Sequence, residues 1–289
     1  MSIWKVIDDA ISKTEGYLYS TVSRQAVSGG DISQAYRLTD EKRRYFVKIN
    51  SANFKDRFNA ESVGLKALAH ESSFRIPKVI SIGVFQDKSY LILEFIEMTS
   101  IGDASKFAKA LGQLHAHTQT SFGFESNNFI GSSVQENNWS NNWGEFFVDN
   151  RLKPQLKALD VVLLTKLEQQ KFFEKILEFL NYHQPKPSLV HGDLWQGNVG
   201  YTTDGYPVIY DPACYYADYE VDLAMLELFG TPGGEFFKQY QKTHSIQSGY
   251  STRKEIYNLY HILNHANMFA GGYIQQAKAM LKNIAQLLN

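Results

Sequence analysis

From Ser188 to Ala213 the chain runs through an apolar stretch, His191-Gly192-Asp193-Leu194-Trp195-Gln196-Gly197-Asn198, a turn, and a short apolar segment ending on Tyr210-Asp211-Pro212-Ala213. Ser188 to His191 and Pro207 to Tyr210 have strand composition, and Asp204-Gly205 between them is a turn signal. The segment therefore folds back on itself, bringing Asp193, Asn198 and Asp211 toward one point. Asn198 lies five residues after Asp193, and Asp211 eighteen residues after it. A carboxylate can take the proton of an attacking hydroxyl. An amide oxygen with a second carboxylate can hold Mg²⁺, which prefers hard oxygen ligands. These are the residue types that phosphoryl transfer requires. The competing reading makes Asp193 a turn residue and Asn198 a loop amide, and three matches in strand-loop-strand order weigh against it. His191 reads as a backbone brace.

The spacing is similar to that of the protein-kinase catalytic loop and its metal-binding aspartate, with His-Gly-Asp and Asp-Pro-Ala at the two positions. Upstream, Tyr45 to Ile49 is a β-prone run whose alternation puts Phe46 and Lys48 on one face. Between Asn53 and Ser72, Phe54, Phe58, Leu65 and Leu68 fall on one helical stripe, with Glu61 inside it. An unpaired carboxylate on a buried face costs several kcal/mol, so Lys48 is its expected mate. A surface position for Glu61 at the helix edge is the alternative. Ser28-Gly29-Gly30-Asp31-Ile32-Ser33 precedes the strand-like Gln34 to Leu38 and is a candidate phosphate-covering loop, with Gly29, Gly30 and Ser33 as nucleotide contacts. Taken alone, two adjacent glycines make an ordinary hairpin turn. Ser89 to Ile96 reads as a buried strand entering a polar connection, where Glu94, Phe95 and Ile96 offer main-chain groups to an adenine.

A chain of 289 residues is long enough for two lobes. The net charge of −1 gives no reason to expect nucleic acid or an anionic membrane as partner. One cysteine, Cys214, excludes an internal disulfide and fits a reducing, cytoplasmic setting. No stretch approaches the length of a membrane span. The expected fold class is α+β, protein-kinase-like and bilobal: a small β-rich, nucleotide-binding lobe over residues 1–96, and a larger, mostly helical catalytic and substrate-binding lobe over 97–289. Helices are expected at the N-terminus, over Asp103 to Thr120, over Trp143 to Leu159 and over Gln275 to Leu288. The Asn- and Ser-rich stretch from Asn127 to Asn142 reads as a long surface loop.

His-Gly-Asp-Leu-Trp-Gln-Gly-Asn, Tyr-Asp-Pro-Ala and Asp218-Tyr219-Glu220-Val221-Asp222-Leu223-Ala224-Met225 resemble the fructosamine kinase (ketosamine-3-kinase) family, in the aminoglycoside phosphotransferase-like branch of the kinase fold. Phe46 to Asn50, Glu61 to Leu68, Trp143 to Leu156 and Leu259 to His265 extend the resemblance over essentially the whole chain. It implies ATP and Mg²⁺ as cofactors, Asp193 as proton acceptor, Asn198 and Asp211 as metal ligands, and Lys48 with Glu61 as the nucleotide-positioning pair. Asp222 becomes a brace for the catalytic loop. Trp195 becomes a wall for the sugar, within reach of the acceptor but hardly of the adenine. The implied acceptor is a small-molecule ketosamine or a glycated protein lysine. Its protonatable amine calls for an acid, with Glu220 and Asp218 as candidates. The glycine loop departs from the family's commoner triple-glycine form, having Ser28 first and no cysteine. A kinase for choline, a sugar or an aminoglycoside remains an alternative, as does a nucleotide-binding regulator without catalysis. The sequence does not give the oligomeric state.

Overall fold

The computed structural model describes residues 1–27 and 33–289. Helix α1 (Ile3–Glu15) starts on Ser2, whose hydroxyl accepts from the Lys5 N–H, and stops at Gly16 in the left-handed conformation. Strands β1 (Ser23–Val27), β2 (Gln34–Thr39) and β3 (Arg44–Ser51) follow, then α2 (Lys55–Glu71), β4 (Val79–Phe85) and β5 (Lys88–Glu94). They form one antiparallel sheet in the order β1-β2-β3-β5-β4.

Alternation along the strands sorts the two faces. Tyr45, Val47 and Ile49 of β3 and Tyr90 and Ile92 of β5 pack with Ile7 and Ile11 of α1. Leu91 and Leu93 face the other way and join Phe58, Leu65 and Leu68 of α2 in the larger core. Each fully buried leucine or phenylalanine contributes about 1.5–3 kcal/mol. The sheet is thus sandwiched, and Lys48, on the α2 side of β3, points toward the cleft that α2 flanks.

After the sheet come α3 (Ala104–His115), the short hairpin β6 (Asn128–Ile130) and β7 (Ser133–Gln135), α4 (Trp143–Phe147) and α5 (Lys153–Ala158), and then α6 (Lys166–His183). Between α4 and α5 lies a π-helical turn, Val148–Leu152, so the expected helix over Trp143 to Leu159 is present with a widened turn at its middle. The helix expected over Asp103 to Thr120 begins on an Asp103 cap but ends at His115. The chain then turns to pair, with Leu189 N–H donating to the His117 carbonyl and Gln119 N–H to that of Pro187.

The expected surface loop from Asn127 to Asn142 is not one. It holds the β6–β7 hairpin, and Asn128, Gln135 and Asn137 within it are buried. Strands β8 (Ser188–Val190), β9 (Val199–Tyr201), β10 (Pro207–Ile209) and β11 (Tyr215–Ala217) carry the motif region, β9 pairing β10 and β8 pairing β11. Helices α7 (Glu220–Leu228), α8 (Gly234–Tyr240), α9 (Tyr250–Phe269) and α10 (Gly272–Leu287) complete the chain. Among the described residues no helix is long and apolar enough to cross a membrane.

Candidate active site

β8 delivers His191-Gly192-Asp193 at its end, and the β9–β10 hairpin returns the chain to Asp211. Asp222, at the start of α7, holds the turn from beneath: its carboxylate accepts from the His191 N–H at 2.8 Å, the Gly192 N–H at 2.9 Å and the His115 ring at 3.2 Å. Burial alone would raise the Asp222 pKa, but the bonds and charge of His115, with help from His191, outweigh it and hold it low. Gly192 has φ +80, and a Cβ there would lie 2.1 Å from the Ala213 carbonyl oxygen, so only glycine fits between the two functional loops. His191 accepts from the Asp193 N–H at Nδ1 and donates from Nε2 to the Tyr210 carbonyl. That fixes a neutral tautomer, and burial lowers its pKa accordingly. His191 ties the Asp193 turn to the Asp211 turn.

Asp193, Asn198 and Asp211 come together as expected, lining one cavity of about 450 Å³. The Asn198 amide donates to the Asp193 carbonyl at 2.9 Å and to its carboxylate at 3.1 Å. Burial pushes the Asp193 pKa up to about 7, the Asn198 bond working against the rise and the Asp211 and Asp222 charges adding to it. Asp211 sits in the left-handed region at φ +56, an uncommon state for a non-glycine residue. Its carboxylate meets the Lys48 ammonium.

The Lys48–Glu61 pair is present at 2.9 Å, so Glu61 is not on the surface. Burial opposes the charge on Lys48, yet Asp211 and Glu61 together raise its pKa. The two carboxylates share one ammonium, and they separate. Burial would lift Asp211, but Lys48 wins and its pKa falls. Glu61, more strongly penalised by burial than it is relieved by Lys48, rises to about 8.

A second cavity, of about 520 Å³, adjoins the first. Val27, Ala35, Phe46, Pro77 and Leu93 make it apolar, and the Glu94-Phe95-Ile96 backbone runs along it. The Glu94 side chain turns away to pair with Arg75. Ser33 lines both cavities and accepts from the Asn50 amide at 3.0 Å. Gly29 and Gly30 lie outside the described residues. Trp195, 38% exposed, also lines both cavities. Expected within reach of an acceptor but hardly of an adenine, it borders both cavities, and its ring stands edge-on to Phe229.

Glu220 does not face the cleft. It is fully buried, with both carboxylate oxygens taken by Arg253 at 2.6 and 3.0 Å. Asp218 is equally buried and accepts from the Tyr257 hydroxyl at 2.6 Å. Neither can reach an acceptor amine. With His183 they form a compact His–Asp–Glu cluster among the described residues, but its oxygens already serve Arg253 and Tyr257, and it fastens α6 to α7 and α9.

Sequence reasoning missed the polar platform under Asp211. Gln135 donates to the Ala213 carbonyl and Asn128 to that of Cys214, while the fully buried Arg151 donates to the Glu136 carbonyl and to Asn137. The only signal was the density of amides between 127 and 142. For a metal, the fitting groups are the Asp211 carboxylate and Asn198 Oδ1, which accepts no hydrogen bond from the described residues. Both are hard oxygens, a donor set that suits Mg²⁺.

A strand lysine paired with a helix glutamate, beside a loop that brings two aspartates and an asparagine to one cavity, defines a kinase-type phosphotransferase with an alcohol group as acceptor. The family model for fructosamine kinase matches residues 3–287, and the chain belongs to that family. A Synechocystis protein named "probable ketoamine kinase" is 42% identical over 287 residues, covering 98% of this chain and 97% of its own. The rice chloroplastic "protein-ribulosamine 3-kinase" is 35% identical over 284 residues, covering 95% of this chain and 82% of its own. A Haemophilus somnus structure provisionally named a fructosamine-3-kinase superposes with a TM-score of 0.90 at 28% identity, covering 97% of each chain. An aminoglycoside phosphotransferase shares the fold, with a TM-score of 0.63 at 16% identity and 99% of each chain covered.

Proposed function

We propose that this protein transfers the γ-phosphoryl group of ATP to the 3-hydroxyl of a ketosamine, the rearranged adduct that a reducing sugar leaves on an amine. The observation that carries the reading is the Asp193 carboxylate. It stands on the wall of the 450 Å³ cavity with one oxygen held by Asn198, and its pKa is pushed up to about 7. A base poised there is about half ionised at neutral pH and basic enough to take a proton.

Asp193 accepts the proton of the acceptor hydroxyl as the hydroxyl oxygen bonds to the γ-phosphorus. The bond from that phosphorus to the bridging oxygen breaks, and ADP departs with its electron pair. Lys48, steadied by Glu61, brings positive charge to the α- and β-phosphates. Asn198 and Asp211 are the residues that would hold Mg²⁺, whose charge neutralises the nucleotide phosphates when bound. The apolar 520 Å³ cavity takes the adenine, with main-chain groups of Glu94, Phe95 and Ile96 as its hydrogen-bond partners. Ser33, with Gly29 and Gly30, covers the phosphates. Trp195 separates nucleotide from acceptor. Residues 1–96 then act as the nucleotide lobe and 97–289 as the catalytic and acceptor lobe.

The rice relative, named a protein-ribulosamine 3-kinase, supports the 3-position and a protein-bound adduct as one form of acceptor. A phosphate at C3 leaves readily beside the ketone, so the product can eliminate and free the amine. The activity is thus a deglycation repair, suited to the ATP-rich cytoplasm. The test is a panel of erythrulosamine, ribulosamine and fructosamine adducts of lysine, with choline and an aminoglycoside alongside, supplied with ATP and Mg²⁺. ADP release shows turnover, and phosphorus–proton NMR locates the new phosphate. Turnover of choline or the aminoglycoside with none of any ketosamine would overturn the reading.

A further inference from the structure

With Glu220 and Asp218 sealed in the protein, recognition of the acceptor falls to whatever else faces the cavity. Among the described residues its lining holds no lysine or arginine, and its carboxylates are Asp193 and Asp211. The polar groups that remain come largely from one helix. His261, Asn264, His265 and Met268 of α9 recur at the spacing of one helical face, and all four line the cavity with Trp195 and Phe229.

Two of these side chains are left unfinished by the protein. Asn264 is 4% exposed, and its Oδ1 has no hydrogen-bond partner; its Nδ2 makes only a 3.7 Å contact with Met268 Sδ. An unsatisfied buried amide oxygen is destabilising. Neither end of this amide is anchored, so it can turn about its terminal bond toward a ligand at little expense.

His265 is the opposite case, a ring held rigidly with one free edge. It lies nearly parallel to Tyr273 at 5.0 Å and Phe269 at 5.8 Å, with Phe229 edge-on at 5.3 Å. Its Nδ1 bonds the His261 carbonyl at 2.8 Å, and a carbonyl only accepts, so Nδ1 carries the proton. Burial lowers the His265 pKa, which keeps the ring neutral. Nε2 is therefore a bare acceptor, and none of the described residues bonds it. Gly131, at φ +55, lets the β6–β7 turn close over this face: a Cβ there would strike Met268 Sδ at 2.2 Å and Asn264 Nδ2 at 3.3 Å.

We propose that Asn264 and His265 are the specificity-determining residues of the acceptor site, taking hydrogen bonds from hydroxyls of an uncharged polyhydroxyl chain while the ring cluster of Trp195, Phe229 and Tyr273 covers its apolar edges and its amine. A hydroxyl supplies the donor that both positions lack. An anionic group supplies none and would stand against Asp193 and Asp211. Among the described residues a protonated amine finds no acid here other than that pair, and the aromatic faces can take it through the cation–π interaction. This assignment deepens the ketosamine reading and rests on it for the identity of the acceptor.

The experiment compares the wild type with Asn264→Leu and His265→Phe, the second keeping the ring stack and removing the nitrogen. Steady-state kinetics use lysine adducts of four-, five- and six-carbon sugars with ATP, and thermal melting is measured on each apo protein. Both variants are expected to raise the acceptor KM about tenfold or more, with the ATP KM within about twofold. The Tm of Asn264→Leu should hold or rise, because the orphaned oxygen is gone. Unchanged acceptor KM in both variants overturns the proposal, as does a fall in Tm with both KM values moving together, which marks a packing role. A wild type that phosphorylates no ketosamine overturns the functional reading instead. The same split between KM values, measured on whichever hydroxylated acceptor of the panel it does use, then decides the subsite.

Discussion

The guanidinium of Arg57 donates to the Gly131 carbonyl at 2.8 Å and to that of Ser132 at 2.6 Å, clasping α2 to the turn between β6 and β7. Its plane also lies over Phe54 and Phe129. Glu61 follows Arg57 by one helical turn on α2. The helix that positions Lys48 therefore also holds the hairpin that roofs the acceptor cavity. Cutting the clasp should loosen the roof more than the ion pair. Arg57→Ala is expected to raise the acceptor KM several-fold, with the ATP KM changed by less than about twofold. Arg57→Lys, which cannot reproduce the fork, should recover only part of the loss. Equal shifts in both KM values would show that the arginine serves α2 as a whole.

Asp193→Asn should lower kcat by about 10²–10⁴ while leaving ATP affinity nearly unchanged, since the carboxylate acts on the acceptor hydroxyl. In the wild type, kcat/KM for the acceptor should rise with pH through about 7 as Asp193 ionises. The stability consequence has the opposite sense. The Asp193 pKa is about 7 folded against an ordinary 3.8, so between those values the native state holds a proton the unfolded chain has lost. Native stability from this group is full below pH 3.8 and declines as pH rises toward 7. Apo Asp193→Asn should accordingly melt higher than the wild type at pH 8, and the gap should close toward pH 4. A pH-independent gap would mean that the aspartate is not the group responsible.

How much of this was open to sequence reading depended on whether the partners were local. Asp193, Asn198 and Asp211 sit on one short hairpin, so their spacing alone places them together. Glu61 was legible because a carboxylate inside an apolar stripe demands a cation, and Lys48 was the available one. Glu220 misled for the converse reason: its acidity near the motif suggested a ligand, and its partner Arg253 lies thirty-three residues on, on another helix. The stretch from 127 to 142 misled because polarity does not distinguish water from protein as the partner. Asn128, Gln135 and Asn137 find theirs in the backbone under Asp211 and in each other.

Asp222 should be the most costly of the loop's supports to remove. Asp222→Ala strands two buried backbone N–H groups and the His115 ring at once. Leaving such partners uncompensated in the interior costs about 3–5 kcal/mol. Denaturant unfolding should show a loss of that order, with kcat falling in whatever fraction remains folded. A change below about 1 kcal/mol would mean that the turn is held by Gly192 and its surroundings without the carboxylate.

The last prediction concerns Lys48, which serves two acids rather than one. In Glu61→Gln the ammonium keeps Asp211, and in Asp211→Asn it keeps Glu61. Lys48→Met leaves both carboxylates facing each other without a cation, in a site where burial already lifts Glu61 to about 8. Lys48→Met should therefore raise the ATP KM and lower kcat more than Glu61→Gln does. Adding Glu61→Gln to Lys48→Met should cost little further, because Glu61 then has no ammonium left to position; residues acting as a unit are coupled in such a cycle. Asp211→Asn should differ in kind: if it is a metal ligand as proposed, its defect shifts the Mg²⁺ concentration needed for half-maximal activity, whereas the Glu61→Gln defect leaves that midpoint in place. Kinetic titration of Mg²⁺ against each variant separates the two roles. An additive Lys48–Glu61 cycle would dissolve the unit, and an unmoved Mg²⁺ midpoint in Asp211→Asn would take the metal away from Asp211.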